Sequence, residues 1–416
     1  MKVLLIQPGI DNKWGKIVTS GFKFRPITPL LAMPSIAALT PPEVDVKIID
    51  EVHGLIEKFE EADLVGITGM TLHANRMYKI ADHYRSMGTP VVLGGVHVSF
   101  MADEASQHAD SIVIGEAENT WPQLIKDFQN GQLKPVYNSS EHLDLQGLPF
   151  PRLDLVDGSI YQPPRGTLNS IMATRGCPHN CTFCCVTKMY GKKFRTRPIP
   201  EVISEIEAME NDNTIFFTDD NLIGNPKYAK ELLKALIPLK KKWFAQLSIK
   251  IAEDEELLEL ARESGGEYVY IGFESISADN IESVNKKMVN KVEKYEEYIK
   301  IIHDYGFKII GSFIIGLDND DENSFDELYD FIARNKILIP LTSLYTPFPG
   351  TEAYKMFKKE NRIIVDDWDR YNFHYVVFQP KKMTPEQLQS HYDKLLKRIN
   401  TYTVNMFRQL AESMRK

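Results

Sequence analysis

All four cysteines of this 416-residue chain fall inside one short run, Cys177-Pro178-His179-Asn180-Cys181-Thr182-Phe183-Cys184-Cys185. A disulfide framework spreads its cysteines to close long loops; cysteines this crowded cannot staple distant segments, but they can surround one metal centre. The spacing Cys177-x3-Cys181-x2-Cys184 supplies three thiolates, the natural ligands of iron–sulfur clusters. A four-iron cluster held by three cysteines keeps one iron open to a small-molecule chelator. The alternative is a zinc site built from the three cysteines and His179. Zinc sites more often use two ligand pairs separated by a longer loop, whereas Pro178 and Asn180 shape a tight turn. Cys185 is expected as a packed thiol, because neighbours in an extended segment point opposite ways.

The residues before this run alternate short apolar stretches with amphipathic ones. Strands are expected at Val3–Gln7, Val46–Asp50, Leu64–Thr68, Val91–Gly94 and Ser111–Ile114, with helical spacing over Asn75–Ser86 and Thr120–Phe128 between them. Strands this apolar, separated by helices, predict a parallel sheet covered on both faces, a doubly wound domain over residues 1–137. Such sheets bind ligands beyond the carboxyl ends of their strands. The turns there are Gly69-Met70-Thr71, Gly94-Gly95-Val96-His97 and Gly115-Glu116, whose glycines let a backbone approach a large ligand. Residues 138–166, rich in Pro, Asp and Ser, read as a linker.

Alternation resumes over residues 167–350. Strands are expected at Ser170–Thr174, Thr214–Thr218, Ala245–Ile249, Tyr268–Gly272, Lys308–Ile315 and Ile339–Tyr345, with helices in the gaps. Six such units make an incomplete (β/α)6 barrel rather than the closed eightfold one, and barrel chemistry sits at the carboxyl ends of the strands. The cysteine run follows the first of them. Residues 351–416 read as a small helical appendage, with an aromatic-dense stretch from Trp368 to Tyr375 and a helix begun by Thr384-Pro385.

The cysteine spacing, with Phe183 just before the last ligand, resembles the signature of the radical S-adenosylmethionine superfamily. That resemblance implies a [4Fe-4S] cluster on Cys177, Cys181 and Cys184 that reduces S-adenosylmethionine to a 5′-deoxyadenosyl radical, and an external electron donor such as a flavodoxin or ferredoxin. The stretches Phe217-Thr218-Asp219-Asp220-Asn221, Ile271-Gly272-Phe273-Glu274-Ser275 and Gly311-Ser312-Phe313-Ile314-Ile315-Gly316 are similar to the superfamily's accessory motifs. By resemblance, Phe183, Asp219, Glu274, Ser312, Ile314 and Gly316 line the S-adenosylmethionine pocket, with Gln246 a weaker candidate.

The first half resembles the Rossmann-like cobalamin-binding domain that precedes the radical domain in many family members. By that likeness, Gly69, Thr71, His73, Gly94, Gly95, His97, Gly115 and Glu116 face a corrin. One departure stands out. Better-known cobalamin enzymes carry Asp-x-His-x-x-Gly after their first strand, but here Gln7-Pro8-Gly9-Ile10-Asp11-Asn12 has no histidine, and His53 follows the second strand at the wrong spacing. Cobalamin beside a radical generator implies methylation of an unactivated carbon. The competing outcome is a radical cyclisation, coupling or oxidation without methyl transfer. A methylthiotransferase is disfavoured, since no cysteine remains for its second cluster.

Composition bounds the partners. The formal charge of −8 argues against a general nucleic-acid binder. No apolar run approaches the roughly 18–20 residues that span a bilayer, and the N-terminus reads as a strand rather than a signal peptide, so the chain is expected in the cytoplasm. The substrate is expected to be a small molecule or a protein or peptide. The basic stretch Lys188 to Arg197 offers a site for a phosphate or carboxylate, the equal alternative for Arg195 and Arg197 being solvation.

Overall fold

The computed structural model describes residues 1–10, 30–51, 54–56, 58–139, 141–157, 168–209 and 214–413. His53, Asp11 and Asn12 lie outside them, as does part of the expected linker.

The chain opens with six parallel strands: β1 (Lys2–Gln7), β2 (Asp45–Asp50), β3 (Leu64–Thr68), β4 (Val91–Gly94), β5 (Ser111–Ile114) and β6 (Val136–Asn138). Their order is β2-β1-β3-β4-β5-β6. The inner strands β1, β3, β4 and β5 are buried on both faces, which is why they are apolar, whereas edge strand β2 leaves Asp45 and Lys47 exposed. Leu4, Ile6, Val65 and Ile67 pack on one side with the helix Ala74–Ser86. Val3, Leu5, Val92 and Val113 pack on the other with the helices Ala32–Ala38 and Trp121–Gln129. Strand β6 was not expected; with three residues it is too short to show a pattern. The order reverses between β1 and β3, and a crevice opens at such a switch point beyond the strands' carboxyl ends.

The second half supplies β7 (Leu168–Ile171), β8 (Thr174–Arg175), β9 (Arg195–Thr196), β10 (Thr214–Phe217), β11 (Trp243–Leu247), β12 (Gly266–Glu274), β13 (Lys308–Ile315) and β14 (Ile339–Leu344). Six of them form one parallel arc in the order β7-β10-β11-β12-β13-β14. The expected strand Ser170–Thr174 divides in two. The chain leaves the sheet after Ile171, and Thr174–Arg175 pairs antiparallel with Arg195–Thr196 in a separate ribbon. The break has a cause: Ala173 donates its N–H to Asp219 Oδ2 at 3.2 Å, and its carbonyl accepts from Arg197 N at 2.8 Å.

Alternation sorts the arc's two faces. Ile215, Phe217, Trp243, Ala245, Val269, Ile271, Ile309 and Phe313 are buried beneath the helices. Phe216, Phe244, Tyr268, Tyr270, Ile310, Ser312 and Ser343 are half-buried on the concave side. There Phe216 and Phe244 stack at 4.4 Å.

Beyond β14, the helices Glu352–Lys359 and Pro385–Ser413 build no core of their own. Phe357, Phe378, Leu388, Tyr392 and Leu395 join the core of the second sheet. Tyr392 donates its hydroxyl to the carbonyl of Thr342 at 2.8 Å, and Leu344 N donates to Phe373 O at 2.7 Å. Among the described residues no helix is long and apolar enough to cross a membrane.

Candidate active site

The cysteine loop hangs between ribbon β8–β9 and the short helix Val186–Tyr190. Gly176 opens it at φ +92°, a left-handed conformation that glycine adopts without steric cost. Hydrogen bonds hold its shape: Thr187 Oγ1 donates to Cys177 O at 3.2 Å, Cys184 N to Cys181 O at 3.2 Å, and Thr182 N to Val284 O at 3.1 Å. All four cysteines are free and half-buried. Burial pushes the Cys181 thiol up to about 11 and raises Cys177 and Cys184 as well. The positive charge of a bound metal draws such thiols into the thiolate form.

Among the described residues no three His, Cys, Asp or Glu side chains converge closely enough for a single metal ion. One tetrahedral zinc needs that convergence. A four-iron cubane does not, because it offers a different iron to each thiolate. Three thiolates in one loop fit the cluster, each taking a different iron. Cys185 sits at the start of the following helix, where its carbonyl accepts from Lys188 N and Met189 N.

The expected S-adenosylmethionine residues separate into two groups. Glu274 ends β12 at a register shift and adopts φ +62°, rare for a side chain that is not glycine. Its carboxylate pairs with Lys286, which also donates to Gly272 O at 3.0 Å. Ser312 lies beside Tyr270 on the concave face, where Gln246 is exposed. Phe183 packs against the barrel core.

Asp219, Ile314 and Gly316 are engaged elsewhere. Asp219 braces the ribbon through Thr174 and Ala173. Ile314 is buried, and Gly316 packs so tightly on Leu388 that an added Cβ would sit 2.8 Å from Leu388 Cδ2. Asp220, which sequence reasoning did not single out, lies on the wall of the central cavity, and burial pushes its carboxyl up to about 6.

That cavity, about 530 Å3, lies between the carboxyl ends of the two sheets. Its first-sheet wall is Gln7, Gly69, Met70, His73, Gly94, Gly95, Gly115 and Glu116; its barrel wall includes Met172, Arg175, Met189, Tyr190, Thr218 and Asp220. The glycines form a cradle that larger residues would spoil. At Gly95, φ +94°, a Cβ would come within 3.0 Å of the backbone nitrogen of Gly69. A shallow wall of this kind at the switch point suits a broad, flat ligand such as a corrin.

Thr71 and His97 do not line the cavity. His97 is fully buried, with Nδ1 3.3 Å from Thr71 Oγ1 and Nε2 3.0 Å from the Tyr78 hydroxyl, and its ring centroid lies 5.2 Å from that of Trp368. His73 does line it, but its Nδ1 accepts from Met70 N at 3.2 Å. Burial lowers its pKa to about 4, so the ring is neutral with its remaining proton on Nε2. A protonated ring nitrogen has no lone pair for cobalt.

Glu116 does more than face the cavity. It accepts from Arg175 Nη1 at 2.6 Å and Arg195 Nη1 at 2.9 Å, while Arg175 Nη2 reaches Glu118 at 2.7 Å. Burial alone would raise the Glu116 carboxyl, but the two guanidiniums outweigh it and hold its pKa below the ordinary value. Arg197 pairs with buried Glu205 at 2.7 Å. The basic stretch thus meets carboxylates of its own chain. Across the molecule, Trp368 Nε1 donates to Glu104 Oε1 at 2.8 Å, so the aromatic tail also ties to the first domain.

Comparison with known proteins agrees with this architecture. Residues 37–125 match the B12 binding domain and residues 171–332 the Radical SAM superfamily. The bacteriochlorophyllide d C-12(1)-methyltransferase of Chlorobaculum tepidum is 36% identical over 96% of this chain and 87% of its own length. The bacteriochlorophyllide d C-8(2)-methyltransferase of the same organism is 34% identical over 90% and 85%. Among solved structures, the radical S-adenosylmethionine methyltransferase TsrM of Kitasatospora setae, with cobalamin and a [4Fe-4S] cluster bound, superposes with a TM-score of 0.68 over 96% of this chain and 88% of that one, at 16% identity. The chain belongs to the cobalamin-dependent radical S-adenosylmethionine enzymes, as a carbon methyltransferase that uses a [4Fe-4S] cluster, S-adenosylmethionine and cobalamin.

Proposed function

We propose that this methyltransferase acts on an alkyl carbon at the rim of a chlorin-type tetrapyrrole, in the cavity between its two sheets. The observation that carries the reading is the cavity itself: the glycine turns of the first sheet form one wall and the ribbon beside the cysteine loop forms the other. Its lining of Met70, Met172, Met189 and Tyr190 suits a large, flat, apolar molecule, because methionine adapts to irregular surfaces. Two relatives that align over most of their length are named for methylating bacteriochlorophyllide d at different positions, which supports the chlorin class.

When bound, the cluster with S-adenosylmethionine supplies a hydrogen-abstracting radical, and cobalamin supplies the methyl group. The chain's residues have distinct tasks. Cys177, Cys181 and Cys184 hold the cluster; Glu274, Ser312 and Gln246 orient S-adenosylmethionine on the concave face. Gly69, Gly94, Gly95 and Gly115 admit the corrin, and Glu116 fixes that wall against the ribbon. The half-enclosed cavity limits water near the reacting carbon. A flavodoxin or ferredoxin in the cytoplasm supplies the electron.

The test is anaerobic turnover of the iron- and cobalamin-loaded enzyme with a bacteriochlorophyllide, a hopanoid lipid and a peptide pool, read by product mass. A gain of one methylene on the chlorin alone is expected. If 5′-deoxyadenosine forms and the chlorin mass stays unchanged, the substrate assignment fails.

A further inference from the structure

The outer rim of the cysteine loop is gripped by two segments that sequence reasoning left unused. Ala353 N, at the start of the helix Glu352–Lys359, donates to Thr182 O at 2.9 Å. From the other side Asn285 Nδ2 donates to Asn180 O at 2.8 Å, and Val284 O accepts from Thr182 N at 3.1 Å. Pro178, next to Cys177, is exposed, so the loop is itself part of the protein surface here.

That surface is cationic, in a chain whose formal charge is −8. Lys188 Nζ lies 2.8 Å from Glu352 Oε1 and Lys355 Nζ lies 3.5 Å from the same oxygen, so two ammoniums share one carboxylate. Lys287 pairs with Glu282 at 2.9 Å and leaves 68% of its side chain exposed. Lys192 and Lys193 are exposed at the base of the loop, where the Lys193 carbonyl packs beside Gly176. Apolar side chains stand among these charges. Met356, on the same helix as Lys355, is 36% exposed; Met288, next to Lys287, is 80% exposed, the most of any large apolar residue among those described.

Apolar side chains set among charged ones mark a contact with another macromolecule rather than a pocket. A local surplus of one sign on a molecule of the opposite net sign steers a complementary partner to that spot. The inner side of the loop is taken up by the barrel and the central cavity, so a protein that must reach the cysteines has this rim to approach.

We propose that the rim formed by Lys188, Lys355, Lys287, Met288 and Met356 is the docking surface for a small acidic electron-carrier protein. The proposal rests on the cluster reading of the loop and on the external donor named above. In the docked pair one electron leaves the carrier's prosthetic group and enters the cluster; the carrier is oxidised and the cluster reduced by one electron each, and no atom is transferred. Contacts of this kind are small and form and part quickly.

The test is anaerobic stopped-flow reduction of the full-length, iron-loaded protein, followed by the bleaching of its cluster absorption. Reduced flavodoxin is the protein donor, and photoreduced deazariboflavin is the small uncharged one. The rate with flavodoxin is expected to fall about tenfold or more as salt rises to about 0.5 M, where exposed charges are screened within a few ångströms. Lys188→Glu combined with Lys355→Glu is expected to lower the low-salt rate by a similar factor, and Met288→Asp to lower it at every salt concentration. The rate with deazariboflavin stays at the wild-type value in each variant, which certifies cluster and fold; the paired Gln substitutions replace the Glu ones if iron is lost. Flavodoxin rates that match wild type in all the variants overturn the docking surface. A wild-type cluster that deazariboflavin reduces, and that neither flavodoxin nor reduced ferredoxin does, overturns the reading of the donor itself, a distinct outcome.

Discussion

Glu116 on the first sheet and Arg195 on the cluster ribbon meet at 2.9 Å, with side chains 1% and 7% exposed. Arg175 shares the same carboxylate, so one residue ties the first-sheet wall of the cavity to both strands that flank the cysteine loop. Glu116→Gln leaves two guanidiniums short of a buried counter-charge. Breaking such a pair costs about 3–5 kcal/mol. Calorimetry of the variant is expected to show a lower Tm and a first-domain transition separated from that of the barrel. A single unshifted transition would contradict the clamp.

The ligand assignment makes opposite demands on adjacent cysteines. Cys181→Ala is expected to lose the reducible cluster while residues of the first sheet stay folded and keep cobalamin. Cys185→Ser is expected to keep wild-type iron, since its position at the helix start leaves it outside the three-ligand set. Iron counts and the reduced-cluster spectrum decide both. Equal iron loss in the two variants would mean that Cys185 is a ligand.

His73 offers cobalt no lone pair while Nδ1 accepts from Met70 N. The protein with cobalamin reduced to the cob(II) state should therefore give an electron paramagnetic resonance spectrum without nitrogen splitting from a lower ligand. His73→Phe should retain cobalamin. Nitrogen splitting that vanishes in the variant would reverse the assignment.

Burial pushes the Asp320 carboxyl up to about 6, although the amides of Gly316 and Leu317 and the side chain of Asn280 pull it down. Its unfolded value is about 4. A group whose folded pKa is the higher contributes stability that is full below the unfolded value and is lost as pH rises through the folded one. Asp219 and Asp220 act in the same direction, both at about 6. The Asp320 contribution to Tm should be lost between about pH 4 and pH 6, and Asp320→Asn should remove that contribution from the Tm–pH curve. A slope identical to wild type would mean Asp320 does not titrate there.

Local pattern foretold much of this molecule. Leu64–Thr68, Val91–Gly94, Ser111–Ile114 and Lys308–Ile315 appear with the bounds expected, because each is an apolar run whose neighbours change character abruptly. The crowding of the four cysteines into one loop was legible from their spacing alone. What stayed hidden depends on partners far along the chain. Glu116 meets arginines 59 and 79 residues away, and Lys286 reaches back 12 to Glu274 from a loop with no periodicity. His97 shows a further limit: its turn is where a corrin-facing residue belongs, but the ring lies against Tyr78 and Trp368 instead.

The open arc leaves β14 as an edge strand, and its backbone is not left bare. Tyr392 covers the Thr342 carbonyl and Phe373 takes the Leu344 amide. An uncovered edge is a template on which another chain can grow. The last helix therefore guards that edge against self-association as much as it fills out the core.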